Sequence, residues 1–486
     1  MIEFRDVTFF YGEETAPSVD GVSLKIDKGE TVVLCGESGC GKSTMTRLIN
    51  GLIPHFHEGK LGGEVLYDGK RTTDMRLYEL SEHVGSVFQD PRTQFYNVES
   101  TVELAFGCEN LGVPPEEIEQ RITRTATRFG LEELLDRNLF AMSGGEKQRI
   151  ACGSVDATNP ETLVLDEPSS NLDLFAIHDL AQVVQRWRDD GKTLVIAEHR
   201  IFYLVDLADR FIYIRDGRIE REFRPDELRT LSPEALEDLG LRAPDPWKLA
   251  PRAEARGSGE SLSLRSLKCI TRGRRRLSIP ELTLPRGEII AVIGRNGAGK
   301  TTLARTLCGL EKTGSGVLGI DGATHDIRKR RDLVYMVMQD VNHQLFTEDV
   351  ISELLLSMDG TDPDAEQKRA MEILRSLDLD DKSGRHPMSL SGGEQQRVAI
   401  GSAIAAGREI LILDEPTSGL DHKRMTQVAD YLTAMSADGK TVLVITHDIE
   451  LVLRCCSHAI YLVDGEVAQK SRMDETGAQQ LREFFE

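Results

Sequence analysis

Lys42 and Lys300 each end a glycine-rich run whose spacing suits phosphate binding. The first run reads Gly36-Glu37-Ser38-Gly39-Cys40-Gly41-Lys42-Ser43-Thr44, and the second Gly294-Arg295-Asn296-Gly297-Ala298-Gly299-Lys300-Thr301-Thr302. Each follows a short apolar run, 31–34 or 289–293, and the first opens a helical pattern through Met45, Leu48 and Ile49. In G-x-x-x-x-G-K-[ST] the glycines let backbone N–H groups curl around phosphate oxygens, which then sit on the positive end of a helix. The lysine reaches the β- and γ-phosphates, and Ser43 and Thr301 are the expected Mg²⁺ ligands. A single loop of this kind can be a chance glycine turn. Two in the same context are not.

Further chemistry-bearing residues follow each loop in the same order. Gln89 and Gln339 end apolar runs. Ser143-Gly144-Gly145-Glu146 and Ser391-Gly392-Gly393-Glu394 come next. Ser-x-x-Glu before a helix is a capping box and needs no function, but the double glycine bares the helix N-terminus so that a phosphate can approach. Then Leu165-Asp166-Glu167-Pro168 and Leu413-Asp414-Glu415-Pro416 end apolar strands in paired carboxylates. Adjacent strand residues point opposite ways, so the two acids take different jobs. Asp166 and Asp414 are expected in the Mg²⁺ shell, with Glu167 and Glu415 polarising the attacking water. Asn171-Leu172-Asp173 and Gly419-Leu420-Asp421 come after them. His199 and His447 each cap an apolar strand 32 residues past their glutamate and are expected to contact the γ-phosphate.

The elements that must position these residues repeat as well. Lys42 and Lys300 stand 258 positions apart, whereas Ser143/Ser391 and Asp166/Asp414 stand 248 apart. The first half therefore carries extra residues, placed near 53–59, a surface loop bounded by proline and glycine. Its two histidines, His55 and His57, are read as exposed loop residues. Segments 2–26 and 65–70 alternate as an antiparallel subsheet does, and runs such as 162–165 and 193–196 are continuously apolar after an opening threonine, as strands covered on both faces are. Asp216-Gly217 and Asp464-Gly465 mark a hairpin in each half. At 486 residues, two domains of a little over 200 residues are expected. The expected bounds are 1–229 and 261–486, joined by a proline-broken linker over 230–260, with one short helix over 233–241.

Composition bounds the partners. No apolar run approaches 18 residues, and no export signal opens the chain, so a cytosolic protein is expected. The eight cysteines lack any C-x-x-C pair, which suits reduced thiols. Cys40, inside the first loop, could be an activated thiol, although a small packing residue is the plainer role. A net charge of −21 disfavours nucleic acid, and none is expected as a partner. The basic runs 272–276 and 328–331 are taken as solvated faces.

The full set of motifs, twice and in order, resembles the ATP-binding subunits of ABC transporters. That resemblance implies an α/β fold with two P-loop NTPase domains, each a RecA-like parallel-sheet core with an antiparallel β subdomain and a helical subdomain. It implies ATP and Mg²⁺ as cofactors, with Gln89 and Gln339 joining the metal ligands. It also implies two head-to-tail sites. One would join Lys42, Ser43, Gln89, Asp166, Glu167 and His199 with the Ser391 signature. The other would join Lys300, Thr301, Gln339, Asp414, Glu415 and His447 with the Ser143 signature. Tyr11 falls where the family stacks an aromatic ring on adenine. The aligned strand of the second half offers none, unless Arg272 supplies a guanidinium face.

The residues after the glutamines look like those of energy-coupling-factor importers of vitamins and transition-metal ions. That resemblance implies integral membrane subunits docking near 89–95, ending in Phe95, and 339–346, ending in Phe346. It also implies a separate substrate-binding membrane subunit and a place on the cytoplasmic face of the membrane. The competing reading is a soluble tandem ATPase acting on the ribosome. The short, proline-broken linker without heptads argues against it.

Overall fold

Strands buried along nearly their whole length need cover on both faces, and this decides the architecture of both halves of the computed structural model. It describes residues 1–251, 261–271, 274–320, 322–326 and 329–485. Contacts divide the chain into two compact units, Met1–Pro246 with Gly419–Lys423, and Trp247–Ser418 with Arg424–Glu486.

In the first unit a six-stranded sheet runs in the order Arg218–Phe223, Arg210–Arg215, Thr31–Cys35, Thr193–Ala197, Thr162–Asp166, Val84–Val87. All neighbours pair in parallel except the first two, which form the expected hairpin. At its turn Asp216 and Gly217 both take positive φ, 50° and 76°, the backbone a two-residue hairpin needs. A separate antiparallel sheet pairs Ile2–Tyr11 with Val19–Ile26 and Gly59–Tyr67. Helices Ser100–Asn110, Pro115–Phe129 and Gly144–Thr158 pack on one another beyond the last parallel strand.

The second unit repeats this order with Glu466–Arg472, His458–Val463, Ile289–Ile293, Thr441–Ile445, Ile410–Asp414 and Val334–Val337. Its antiparallel sheet is built on Ser261–Thr271, and its helices are Val350–Leu356, Pro363–Ser376 and Gly392–Ala405. The first strand of each subsheet breaks its ladder at one non-glycine residue with φ 49°, Asp6 in one half and Ser266 in the other. Counting on five residues from each bulge makes Thr271 the counterpart of Tyr11 in the second half.

Beyond the first hairpin, Pro225–Arg229 and Pro233–Leu239 are helical, and Leu228, Leu236 and Leu241 enter the first unit's core. The glycine-serine part of the connection, 257–259, lies outside the described residues.

One basic run is only in part a solvated face, since Lys329 and Arg331 are exposed but Arg330 is not. Arg330 is fully buried, and its guanidinium donates to the carbonyls of Thr306, at 3.1 Å, and Gly316. Thr306 lies in the last turn of the helix Lys300–Leu307, where carbonyls lack partners within the helix. Arg328 lies outside the described residues, as do Arg272 and Gly273, while Arg275 and Arg276 are exposed. Among the described residues no helix is long and apolar enough to cross a membrane.

Candidate functional site: two phosphate loops

Each glycine loop links a buried central strand to a helix, and its backbone explains its composition. Gly36, Gly39 and Gly41 take φ of 143°, 82° and 107°. A Cβ on Gly36 would lie 2.2 Å from the Ile214 carbonyl oxygen, and one on Gly41 would lie 2.4 Å from that of Ser18. Gly297 and Gly299 repeat the positive φ at 84° and 101°. Helices then begin at Lys42 and Lys300, their first N–H groups turned toward the loop.

Lys42 is only 3% exposed, and its ammonium donates to the loop carbonyls of Gly36 (3.0 Å) and Glu37 (2.9 Å). Lys300 does the same to Gly294 (2.6 Å) and Arg295 (3.2 Å). Both ammonium groups are thus held on carbonyls of their own loop. Cys40 is no activated thiol: burial raises its pKa against the opposing charge of Lys42. It packs as a small side chain against the loop.

The carboxylate strands lie beside the loop strands as the sequence order requires. The Ser43 hydroxyl donates to Asp166 Oδ1 at 2.8 Å, and that of Thr301 to Asp414 Oδ2 at 2.9 Å. Burial pushes both aspartates above the usual carboxylate range, with these hydroxyl bonds working against it. Hard oxygen donors grouped in this way suit a small divalent cation.

The glutamates separate from the aspartates differently from the expected strand alternation. The strands end at Asp166 and Asp414. Glu167 and Glu415 follow in left-handed backbone, φ 45° and 49°. Few non-glycine residues adopt it, and it turns the chain sharply out of the sheet. Each glutamate faces its histidine: Glu167 Oε1 is 3.1 Å from His199 Nε2, and Glu415 Oε1 is 3.4 Å from His447 Nε2. Gln89 Nε2 donates to Glu167 Oε2 at 2.8 Å, and Ser38 Oγ lies 3.4 Å from His199 Nε2. Burial works to raise Glu167, but the His199 bond, with the charges of His199 and Lys42, outweighs it and leaves its pKa lowered. Glu167 is therefore an anion poised beside the phosphate loop.

The residues Lys42, Ser43, Gln89, Asp166, Glu167 and His199 are brought together within the first unit, and Lys300, Thr301, Asp414, Glu415 and His447 within the second. Ser143 and Ser391 stand elsewhere in their units, each at a helix N-terminus in a capping box. Ser143 N–H donates to Glu146 Oε2 at 2.7 Å, and Ser391 N–H to Glu394 Oε2 at 2.8 Å.

Sequence reasoning missed the setting of Tyr11. Arg47 donates to its hydroxyl at 2.9 Å, and Thr44 Oγ1 lies 3.3 Å away. Phe9 meets the ring edge-on at 4.9 Å between centroids, and His57 at 6.1 Å. His57 of the extra loop is half-buried, and burial together with the charge of Arg47 lowers its pKa. It is not simply an exposed loop histidine. Only its place in a length difference between the halves could have pointed to it. In the second unit Phe485 packs on His447, ring centroids 6.5 Å apart.

A family model described as ABC transporter matches residues 19–170 and 277–418, one stretch in each half. The chain belongs to the ABC transporter family. A Treponema denticola protein named as an ABC transporter ATP-binding protein is 41% identical over 478 residues, covering 97% of each chain. A Methanosarcina mazei protein of the same name is 33% identical and covers 96% of this chain and 88% of its own. Among solved structures, the archaeal ribosome recycling factor aABCE1 superposes over 98% of this chain and 92% of its own with a TM-score of 0.67. At 22% identity that likeness shows the fold alone. The ATP-binding members of this family are ATPases, and this ABC protein binds and hydrolyses ATP.

Proposed function

We propose that this ABC ATPase energises a membrane importer of the energy-coupling-factor type from the cytoplasmic face of the membrane. Domains 1–229 and 261–486, joined across 230–260, supply two ATP sites. In each, the lysine and loop N–H groups hold the phosphates, and the glutamate polarises water with the histidine at the γ-phosphate. Mg²⁺ suits the oxygen donors of Ser43, Gln89 and Asp166, and of Thr301, Gln339 and Asp414, and would neutralise phosphate charge there. Tyr11 stacks on adenine at the first site. Each site is completed by the other half's signature, Ser391-Gly392-Gly393 for the first and Ser143-Gly144-Gly145 for the second.

The names of the full-length relatives support the transport reading, and one surface carries it. Beside residues 89–95 a cavity of about 410 Å³ opens between the sheet and the helices, lined by Phe88, Gln94, Tyr96 and Phe106. Tyr96 stacks on Phe106 at 5.0 Å while remaining 79% exposed. An exposed tyrosine stacked on a half-buried phenylalanine beside a groove suits a helix presented by a membrane subunit.

The test is co-purification of the tagged chain from detergent-solubilised membranes and from ribosome fractions. The expected result is a small set of integral membrane proteins, lost on Tyr96→Asp. Sedimentation with ribosomes and no membrane protein would establish the alternative.

A further inference from the structure

Glu198 immediately precedes His199 and is 1% exposed, yet nothing above gives it a role. Its Oε1 accepts the N–H of His199 at 2.7 Å and that of Arg200 at 3.1 Å. Its Oε2 accepts the N–H of Ser169 at 3.3 Å and the Tyr203 hydroxyl at 3.0 Å. A carboxylate this deep is tolerated because four donors meet it. Those donors come from two loops: one carries His199, and the other leaves Glu167 two residues before Ser169. A second tie runs the same way, since the Arg200 guanidinium donates to the Leu172 carbonyl at 3.3 Å.

The second unit reaches the same end with the carboxylate moved. Thr446 stands where Glu198 does, and Asp448 stands where Arg200 does. Thr417, the counterpart of Ser169, donates its hydroxyl to Asp448 Oδ2 at 2.7 Å. Asp448 Oδ1 accepts the Leu451 N–H at 3.3 Å and caps the helix Ile449–Cys455. The order Glu-His-Arg in one half and Thr-His-Asp in the other thus joins the same two loops from opposite sides of the histidine.

We propose that Glu198 is a positioning residue of the first ATP site. Its carboxylate locks the histidine loop to the loop after Glu167, so that the 3.1 Å pairing of His199 with Glu167 survives turnover. This rests on the assignment of Glu167 and His199 to water and γ-phosphate.

The experiment uses the full chain carrying Glu415→Gln, so that hydrolysis is read at the first site. Single-turnover hydrolysis with protein in excess over ATP gives a maximal rate and a half-saturating concentration. Glu198→Thr should lower the rate about 10-fold, the scale of a lost supporting hydrogen-bond partner, and leave half-saturation within about twofold. Glu198→Gln, keeping one acceptor oxygen, should fall between. The graft Ser169→Thr, Glu198→Thr, Arg200→Asp, which copies the second half, should recover the rate to within about threefold of the parent. A Glu198→Thr rate within twofold of the parent would overturn the proposal. So would half-saturation worsening in step with the rate, or a graft no faster than Glu198→Thr. His199→Ala separates the premises: a normal rate there refutes the histidine assignment, whereas a slow His199→Ala beside a fast Glu198→Thr refutes only the positioning role.

Discussion

The two halves agree where the phosphate loop meets its carboxylates and part company one layer behind. The hydroxyl-to-aspartate bonds are 2.8 and 2.9 Å, and both glutamates leave their strands at nearly the same left-handed φ. Behind them, Glu198 in one half and Asp448 in the other tie the same pair of loops from different positions. The helical segment after the last hairpin also approaches a different loop in each. Gly240 abuts Glu37 of the first phosphate loop, while Phe485 packs on His447. Groups facing the substrate are fixed by its chemistry, whereas groups that only hold them can exchange if every buried polar atom keeps a partner.

The largest break in the equivalence is expected at the first loop glycines. Gly36 combines positive φ with a 2.2 Å approach to a backbone oxygen, whereas Gly294 lacks positive φ and its Cβ would meet the Leu462 oxygen at 2.5 Å. Gly36→Ala should cost about 100-fold or more in ATP affinity at the first site, and Gly294→Ala distinctly less at the second. Titrations with the other site disabled by Lys300→Ala or Lys42→Ala measure both.

Next comes adenine. Tyr11 is held by Arg47, and the bulges at Asp6 and Ser266 set Thr271 in its place in the second half. Stacking on an aromatic ring is worth about 1–3 kcal/mol, so the first site should bind adenine nucleotide about 5- to 100-fold more tightly. Tyr11→Ala should erase most of that difference. Equal affinities in the parent would show that adenine is held otherwise.

The smallest effect separates the signature caps. Lys382 pairs with Glu394, and although burial alone would raise this carboxyl, the Lys382 and Ser391 bonds carry it down to about 2. Glu146, the counterpart, is lowered chiefly by Ser143 against its burial, and Leu134 stands where Lys382 does. A carboxylate with a depressed folded pKa stabilises above its unfolded pKa, near 4.5, and loses that contribution as pH falls toward 2. Lys382→Met should therefore cost about 1 kcal/mol or less at neutral pH and flatten the fall in stability between pH 4.5 and 2. Denaturant melts of the two proteins across that range compare them.

Much of this was legible in the residues. Largely apolar runs such as 193–196 place central strands because a parallel sheet covered on both faces leaves little room for polar side chains, and the glycine spacing places the loops because only that backbone fits. Three features were not legible. Arg330 sits in a basic run that reads as solvated, because its carbonyl partners lie 14 and 24 residues away. The left-handed turn at Glu167 falls one residue past a strand, where alternation predicts a different aim. Glu198 looks like any acid beside a histidine until the fold brings Ser169 and Tyr203 to it.

The proposal that both sites are competent is tested most directly by steady-state ATP hydrolysis of Glu167→Gln, Glu415→Gln and the double variant. Each single change should slow turnover while nucleotide binding is kept, and the double should lose about 100-fold or more, the scale of an absent general base. Either single variant turning over at the parent rate would contradict the claim that both halves hydrolyse ATP.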